Sequence, residues 1–128
     1  MTHRNALITG ANSGIGLATA IELARQKYAL TIVCRTEEKG AVAAAHIHQE
    51  TGHHPKVLAC EFSKPEDIDR AAEDYLKTDT PLHLLVNNAG AYFPTCQYDA
   101  RGLEMTLAVN HMGYFHLTSR LLPCLTHD

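Results

Sequence analysis

The stretch that decides the fold runs from Ala6 to Gly16 and reads Ala-Leu-Ile-Thr-Gly-Ala-Asn-Ser-Gly-Ile-Gly. A short apolar run precedes the glycines, and an apolar segment of helical period follows them. A strand can end beside a helix N-terminus and admit an anion only where the connecting backbone bends sharply and carries few side chains. Gly10, Gly14 and Gly16 meet that need. We therefore predict a strand, a phosphate-binding turn and a helix.

Phosphate binding at this turn would depend mainly on the backbone. The free N–H groups of the first helical turn and the positive end of the helix dipole both attract an anion. Asn12 and Ser13 can add hydrogen bonds, although both are also common turn residues. The glycine spacing, Gly-x-x-x-Gly-x-Gly, differs from the Gly-x-Gly-x-x-Gly fingerprint, so an ordinary tight turn is the alternative.

The rest of the chain alternates apolar runs of strand length with segments of helical period. This alternation predicts βαβ units and a parallel sheet. The first strand is predicted to end near Thr9, and the others to span 30–34, 57–60 and 82–86. The helices are predicted over 15–28, 36–50, 63–76 and 102–122. Residues 82–86 form a continuous apolar run, as expected for a strand buried on both faces.

Two of these helices carry finer expectations. The first should cover the sheet with an apolar stripe of Leu17, Ile21, Ala24 and Tyr28. The third should begin with Ser63 available as the capping residue and Pro65 in its first turn.

Two further motifs follow the glycine turn, Asn87-Asn88-Ala89-Gly90 after the fourth strand and Val109-Asn110-His111-x-Gly113 in the last helix. Together with Thr9-Gly10-x-x-x-Gly14-Ile15-Gly16, in this order, they resemble the short-chain dehydrogenase/reductase family. Cys34-Arg35 and Val-Asn-His-x-Gly-Tyr-Phe are most similar to its retinol-dehydrogenase-like branch. The resemblance implies a Rossmann-type doubly wound α/β domain with strand order 3-2-1-4. It also implies an NADP(H)-linked oxidoreductase with alcohol or carbonyl substrates.

The resemblance places a dinucleotide at the ends of the first and fourth strands. The cofactor-binding residues that it implies are Gly10, Asn12, Ser13, Gly14, Ile15, Gly16, Arg35, Glu61, Phe62, Asn87, Ala89 and Gly90. Glu61-Phe62 stands where the family usually has Asp-Leu, whose carboxylate contacts adenine; a surface glutamate is the alternative. Asn110 matches the asparagine that kinks the long helix and holds a water of the proton relay, an accessory catalytic role.

Arg35 bears on the choice of cofactor. About twenty residues after the glycine turn, an acidic side chain would bind the ribose of NAD. Cys34 and Arg35 offer no carboxylate there, whereas an arginine can pair with the 2′-phosphate of NADP. The residue types therefore favour NADP(H) over NAD(H). Glu37 and Glu38 could neutralise Arg35, and a solvated arginine is the alternative.

The family's catalytic residues, a serine and a Tyr-x-x-x-Lys pair, lie beyond the asparagine that Asn110 matches. None of the 5 tyrosines has a lysine four residues later. The family uses that lysine to pull the tyrosine pKa toward neutrality. We therefore expect one domain over 1–128 that is incomplete at its C-terminal end and inactive alone. The alternatives are a non-catalytic nucleotide-binding remnant and a fragment that needs a second chain to complete its sheet.

Composition argues against several other classes of protein. The net charge is −3 and neither sign forms a long block, so we expect no nucleic-acid partner. No signal peptide is visible, and no apolar run approaches the roughly 18 to 20 residues that span a bilayer. The 4 cysteines are scattered without a Cys-x-x-Cys pair, and Cys34 and Cys60 end predicted strands, which fits buried reduced thiols at these two positions in a cytoplasmic protein.

We expect no metal site, and we expect contacts with other chains. The histidine cluster His46, His48, His53 and His54 is interpreted as a solvated helix end, because 46 and 48 point to different faces. His111 and His116 are assigned to the surface of the last helix or to a subunit contact. Without a fifth strand, residues 82–86 would form an exposed apolar edge that invites self-association, as would the long last helix.

Overall fold

The computed structural model describes residues 3–126 as one parallel sheet with helices packed against it. The strands are β1 (Asn5–Thr9), β2 (Ala29–Cys34), β3 (Lys56–Ala59) and β4 (Leu84–Val86). The α-helices are α1 (Gly14–Arg25), α2 (Glu37–Thr51), α3 (Pro65–Leu76), α4 (Met105–Leu107) and α5 (Gly113–Leu121). A π-helix spans Ala108–Met112 and a 3-10 helix spans Leu122–Cys124. Within this described range, no helix is long and apolar enough to cross a membrane.

The strand order is β3-β2-β1-β4 and every pairing is parallel, which confirms the predicted topology. In this register Ile8 of β1 lies between Ile32 of β2 and Val86 of β4. All four strands therefore end at the same edge of the sheet. The glycine turn after β1 and the Asn87–Gly90 segment after β4 are brought side by side at that edge.

Each face of the sheet has its own apolar core. Leu23 of α1 and Ile47 of α2 pack on one face. Ile68 of α3 and Leu117 of α5 pack on the other. Full burial of one such side chain stabilises the fold by about 1.5 to 3 kcal/mol. Helices on both faces of a parallel sheet define the doubly wound α/β class.

The buried face of α1 differs from the predicted stripe. Its buried residues are Gly16, Ala20, Leu23 and Ala24. Leu17 and Ile21 are only partly buried, and Tyr28 lies beyond the end of the helix at Arg25. Apolar residues occupy two adjacent faces of this helix, so periodicity alone could not choose between them. The small residues face the sheet because they allow the helix to approach it closely.

The start of α3 corrects the prediction for Ser63. Lys64 is the N-cap residue and Pro65 occupies the first turn, as expected for a proline. The Ser63 hydroxyl donates instead to Oε1 of Glu61, at 3.1 Å. Asp67 turns back from the first turn and accepts from the backbone N–H of Glu61, at 3.2 Å. The side chains of Ser63 and Asp67 therefore form hydrogen bonds with Glu61 instead of capping the N-terminus of α3.

Strand β4 is shorter than predicted, and its beginning is covered. Leu82 is fully buried, and its N–H donates to the carbonyl of Cys124 at 2.7 Å. Its carbonyl accepts from the N–H of Thr126, at 3.0 Å. The expected apolar edge thus begins only at Leu84, because the chain after the last helix returns beside Leu82. Among residues 3–126, no strand pairs with the outer edge of Leu84–Val86.

The single long helix predicted over 102–122 is wrong in detail. Gly102 belongs to a preceding turn with φ of +81°, and the helical segment begins at Met105. Glu104 caps it by accepting from the N–H groups of Thr106 and Leu107, at 3.0 and 2.9 Å. The segment then widens into the π-helix that contains Asn110, the residue at which the family resemblance implied a kink.

Candidate functional site

A cleft of about 680 Å³ opens where the strands end. Of the predicted cofactor-binding residues, those lining it are Gly10, Asn12, Ser13, Gly14, Ile15, Gly16, Arg35, Glu61, Phe62, Ala89 and Gly90. Asn87 is not part of the lining. Lys39, Asn88 and Tyr92 also line the cleft, although the sequence analysis did not predict them. The fold therefore brings nearly all of the predicted residues to one cavity.

The glycine turn has the backbone that a phosphate cradle needs. Gly10 and Gly14 have φ of +67° and +54°, a region that L side chains rarely adopt. A Cβ on Gly10 would lie 2.7 Å from Cα of Ala89, so the two segments are in direct contact. At Gly14 a Cβ would meet nothing within 4 Å, because this part of the turn faces open space. The turn is thus tight on the protein side and open on the cleft side.

The N-terminus of α1 is free to receive an anion. Ser13 is its N-cap residue, but the Ser13 side chain makes no capping hydrogen bond. The first turn contains no acidic residue. Ile15 beside it is 80% exposed, which leaves a large apolar side chain for a ligand to cover. The N–H groups and the dipole of a twelve-residue helix therefore face the cleft without a competing carboxylate of their own.

A second link between the turn and the β4 segment was missed by the sequence analysis. Thr9 is fully buried, and its hydroxyl accepts from the N–H groups of Asn88 and Ala89, at 3.0 and 2.9 Å. The Asn88 side-chain amide in turn donates to the carbonyls of Thr9 and Gly10, at 3.2 and 3.1 Å. These reciprocal bonds fix the distance between the two walls of the cleft. The only signal available in the sequence was a threonine at the end of a predicted strand.

Two other predicted asparagines act on the framework of the site. Asn87 donates from Nδ2 to Oγ1 of Thr118 on α5, at 3.1 Å. The Asn110 side chain forms two hydrogen bonds with the backbone of Ala91. Its Oδ1 accepts from the N–H of Ala91 and its Nδ2 donates to the carbonyl of Ala91, each at 2.8 Å. Asn110 therefore holds the segment after β4 against the π-helix. Its predicted part in a proton relay stays a prediction.

Arg35 and Glu61 form an ion pair at the rim of the cleft. Nε of Arg35 lies 2.6 Å from Oε2 of Glu61. The expected neutralising residues, Glu37 and Glu38, are not its partners. Lys39 reaches the same part of the cleft from the first turn of α2, so a second cation is present. Because Glu61 already binds Arg35 and Ser63, an adenine contact would have to share its carboxylate, and that contact stays a prediction.

The floor of the cleft is apolar and contains two buried thiols. Phe62 is buried and packs edge to face against Tyr114, with ring centroids 6.1 Å apart. Burial, with a smaller contribution from the Asp67 carboxylate, raises the pKa of Cys60 to about 12. Burial also raises the pKa of Cys34. Both cysteines are free and buried, as predicted, and as neutral thiols they serve as packing groups.

None of the histidines within residues 3–126 lines the cleft. His48 and His54 stack with ring centroids 3.7 Å apart. In the part of the chain that the structure describes, no group of three or more histidine, cysteine or acidic side chains could hold a metal ion. His116 pairs with Asp69 of α3 at 2.8 Å, and Arg120 approaches the same carboxylate at 3.3 Å. His116 thus joins two helices of the same chain.

Comparison with known proteins gives a consistent result. The family model for short chain dehydrogenases matches residues 4–128. Retinol dehydrogenase 12 of Bos taurus is 42% identical over 117 residues, which are 91% of this chain and 37% of the relative. Human dehydrogenase/reductase SDR family member 13 is 38% identical over 123 residues, 95% of this chain and 32% of the relative. The chain thus spans about a third of the length of these curated relatives.

Solved structures share the fold over nearly the whole chain. A short chain dehydrogenase from Escherichia coli CFT073, solved with NADPH, superposes with a TM-score of 0.82 and 30% identity, covering 97% of this chain and 54% of that one. An NAD+-bound xylitol dehydrogenase superposes with a TM-score of 0.78 and 25% identity, covering 94% and 47%. Similar folds therefore bind either dinucleotide, and the fold alone does not select between them.

Proposed function

The chain belongs to the short-chain dehydrogenase family, and from this membership we propose that it forms the cofactor-binding part of an NADP(H)-linked oxidoreductase. In this role the pyrophosphate would lie against Gly10 to Gly16 at the N-terminus of α1. The 2′-phosphate would lie near Arg35 and Lys39. The nicotinamide of the bound cofactor supplies or accepts the hydride. Ile15 and the segment after β4 would exclude water from that part of the cleft.

The observation that carries this proposal is the composition of the cleft. Its walls combine an uncapped helix N-terminus, glycines in left-handed conformation and two cations at one end. Those are the groups that a dinucleotide with an additional phosphate requires. For the substrate we propose an alcohol or carbonyl compound of retinoid or steroid-like type. This assignment rests on the similarity to retinol dehydrogenase 12.

We expect Arg35→Ala to weaken NADPH binding by about tenfold or more, because charge-assisted hydrogen bonds to the 2′-phosphate are lost. NADH lacks that phosphate, so its affinity should change little. Calorimetric titration of the monodisperse 128-residue chain with each cofactor measures both values. Arg25→Ala is the matched control, since Arg25 lies on α1 outside the cleft and, among the residues that the structure describes, pairs with Glu22 and Glu50 alone. Equal losses for both cofactors in the Arg35 variant would contradict the assigned role.

A second candidate function is a cofactor-binding unit without turnover of its own. It is supported by the absence of any Tyr-x-x-x-Lys among the 128 residues. We expect the purified chain to bind NADPH but to leave its nicotinamide absorbance unchanged when retinal or a steroid ketone is added. Measurable hydride transfer by this chain alone would contradict the second candidate. Restoration of turnover by a separate polypeptide that carries the missing motif would support a unit completed by another chain.

We also propose a single domain over 1–128, located in the cytoplasm and able to self-associate. The four cysteines are free, two of them buried, which supports a reducing compartment. Phe115 and Leu122 on the last helical segment are 66% and 60% exposed, which supports a contact there. The outer side of Leu84–Val86, which no strand of the described part of the chain pairs with, supports a second contact. Analytical ultracentrifugation tests this, since a monomer at high concentration would exclude both contacts.

A further inference from the structure

The Arg35–Glu61 ion pair lies in the part of the cleft to which the proposed function assigns the 2′-phosphate. Arg35 is 68% exposed in its side chain, whereas Glu61 is only 23% exposed. Glu61 is also held in place, because its Oε1 accepts from the Ser63 hydroxyl at 3.1 Å. The Glu61 carboxylate is therefore the fixed member of the pair, and Arg35 is the member that a ligand can draw away.

A phosphate and a carboxylate compete for the same guanidinium. Arginine binds a phosphate best with two parallel N–H groups, and Glu61 already takes the Nε–H of Arg35. Within residues 3–126, Lys39 has no carboxylate within ion-pair distance, so it is open to the phosphate. The end of the cleft thus offers one cation that is open and one that is already paired.

We propose that Glu61 is a specificity-determining residue that limits the preference for NADPH over NADH by competing with the 2′-phosphate for Arg35. This inference rests on the proposed function, because it concerns the same cleft. NADPH has to displace Glu61 from Arg35 or share the guanidinium with it, whereas NADH leaves the pair intact. Partly exposed ion pairs contribute up to about 1 kcal/mol, which corresponds to about fivefold in affinity. Removal of the Glu61 charge should therefore increase selectivity.

The test compares E61Q with the unchanged 128-residue chain by calorimetric titration with NADPH and with NADH. Glutamine keeps the size of the side chain and an oxygen that can accept from Ser63. We expect the ratio of NADH to NADPH dissociation constants to rise about threefold to fivefold. E37Q and E38Q are the matched controls, since each removes one negative charge near Arg35 without removing a partner of it. Those controls should shift the ratio by less than about twofold.

A double-mutant comparison identifies the route of the effect. In an R35A background, E61Q should no longer change the ratio of the NADH to NADPH dissociation constants, because the guanidinium for which Glu61 and the phosphate compete is absent. If E61Q raises the ratio equally with and without Arg35, Glu61 acts by direct repulsion of the phosphate and the inference is wrong. A lower ratio in E61Q would mean that Glu61 orients Arg35 for the phosphate, which also overturns it. An unchanged ratio overturns the inference alone, whereas failure of the unchanged chain to bind either cofactor overturns the proposed function as well.

Discussion

Gly16→Ala is expected to weaken binding of both dinucleotides by about tenfold to hundredfold and to lower the free energy of unfolding by about 2 kcal/mol. The added Cβ would collide with the carbonyl of Gly10 and with Nδ2 of Asn88. Neither can move aside cheaply, since one is backbone and the other is bonded to the carbonyls of Thr9 and Gly10. Calorimetric titration and urea unfolding measure the two effects.

Gly52→Ala is the matched control for the stability measurement. Gly52 ends α2 with φ of +77°, and a Cβ there would meet nothing within 4 Å. It should cost about 1 kcal/mol through backbone strain and leave cofactor binding unchanged. Comparison of the two variants thus separates a loss of stability due to backbone strain from a loss of cofactor affinity caused by the added Cβ at Gly16. Unaltered cofactor affinity in the Gly16 variant would refute a phosphate site at the start of α1.

Thr9→Val is expected to lower the free energy of unfolding by about 2 kcal/mol, with a parallel loss of affinity for both dinucleotides. Valine has nearly the same shape, but it removes the oxygen that accepts from the N–H groups of Asn88 and Ala89. The part-buried N–H of Ala89 would lose its acceptor, and that desolvation is costly, whereas the N–H of Asn88 keeps the carbonyl of Val86 at 3.1 Å. Chemical denaturation followed by circular dichroism measures the loss.

Thr31→Val provides the control for this exchange. Thr31 lies buried on the neighbouring strand β2 and has no side-chain hydrogen bond in the described part of the chain. The same substitution there should be neutral or slightly stabilising. Thr9→Ser, which keeps the hydroxyl, should retain most of the stability. If neither Thr9→Val nor Thr31→Val lowered the free energy of unfolding, the hydrogen bonds of Thr9 between the two walls of the cleft would contribute no stability.

Both predictions concern one physical unit. The glycine turn and the segment after β4 contact each other through Gly10 and Ala89, and they are bonded through Thr9 and Asn88. Asn110 then binds Ala91, two residues beyond Ala89, to the π-helix. The cleft walls are thus fixed before a cofactor arrives, which lowers the entropy lost on binding.

Much of the fold was predictable because its signals are local. The apolar runs of β1 and β2 and the glycine break between β1 and α1 depend on neighbouring residues only. The strand order was predictable through the family motifs. Errors arose where distant segments meet: β4 was predicted to begin at Leu82, whose outer side is in fact paired with Cys124 and Thr126. The last helix was predicted as continuous, although Glu104 sets its start and a π-helix interrupts it.

The sequence by itself determined the α/β class, the glycine cradle and the family, since each depends on residue types at short and fixed spacing. It also determined which residue types are available to bind the 2′-phosphate of NADP. Only the tertiary structure decided how those residues are used. Arg35 and Glu61 are 26 positions apart, and they meet because β2 and β3 are neighbours in the sheet. Thr9 and Asn88 meet because β1 pairs with β4. Such partners follow from strand order and register, which bring groups together that no local pattern connects.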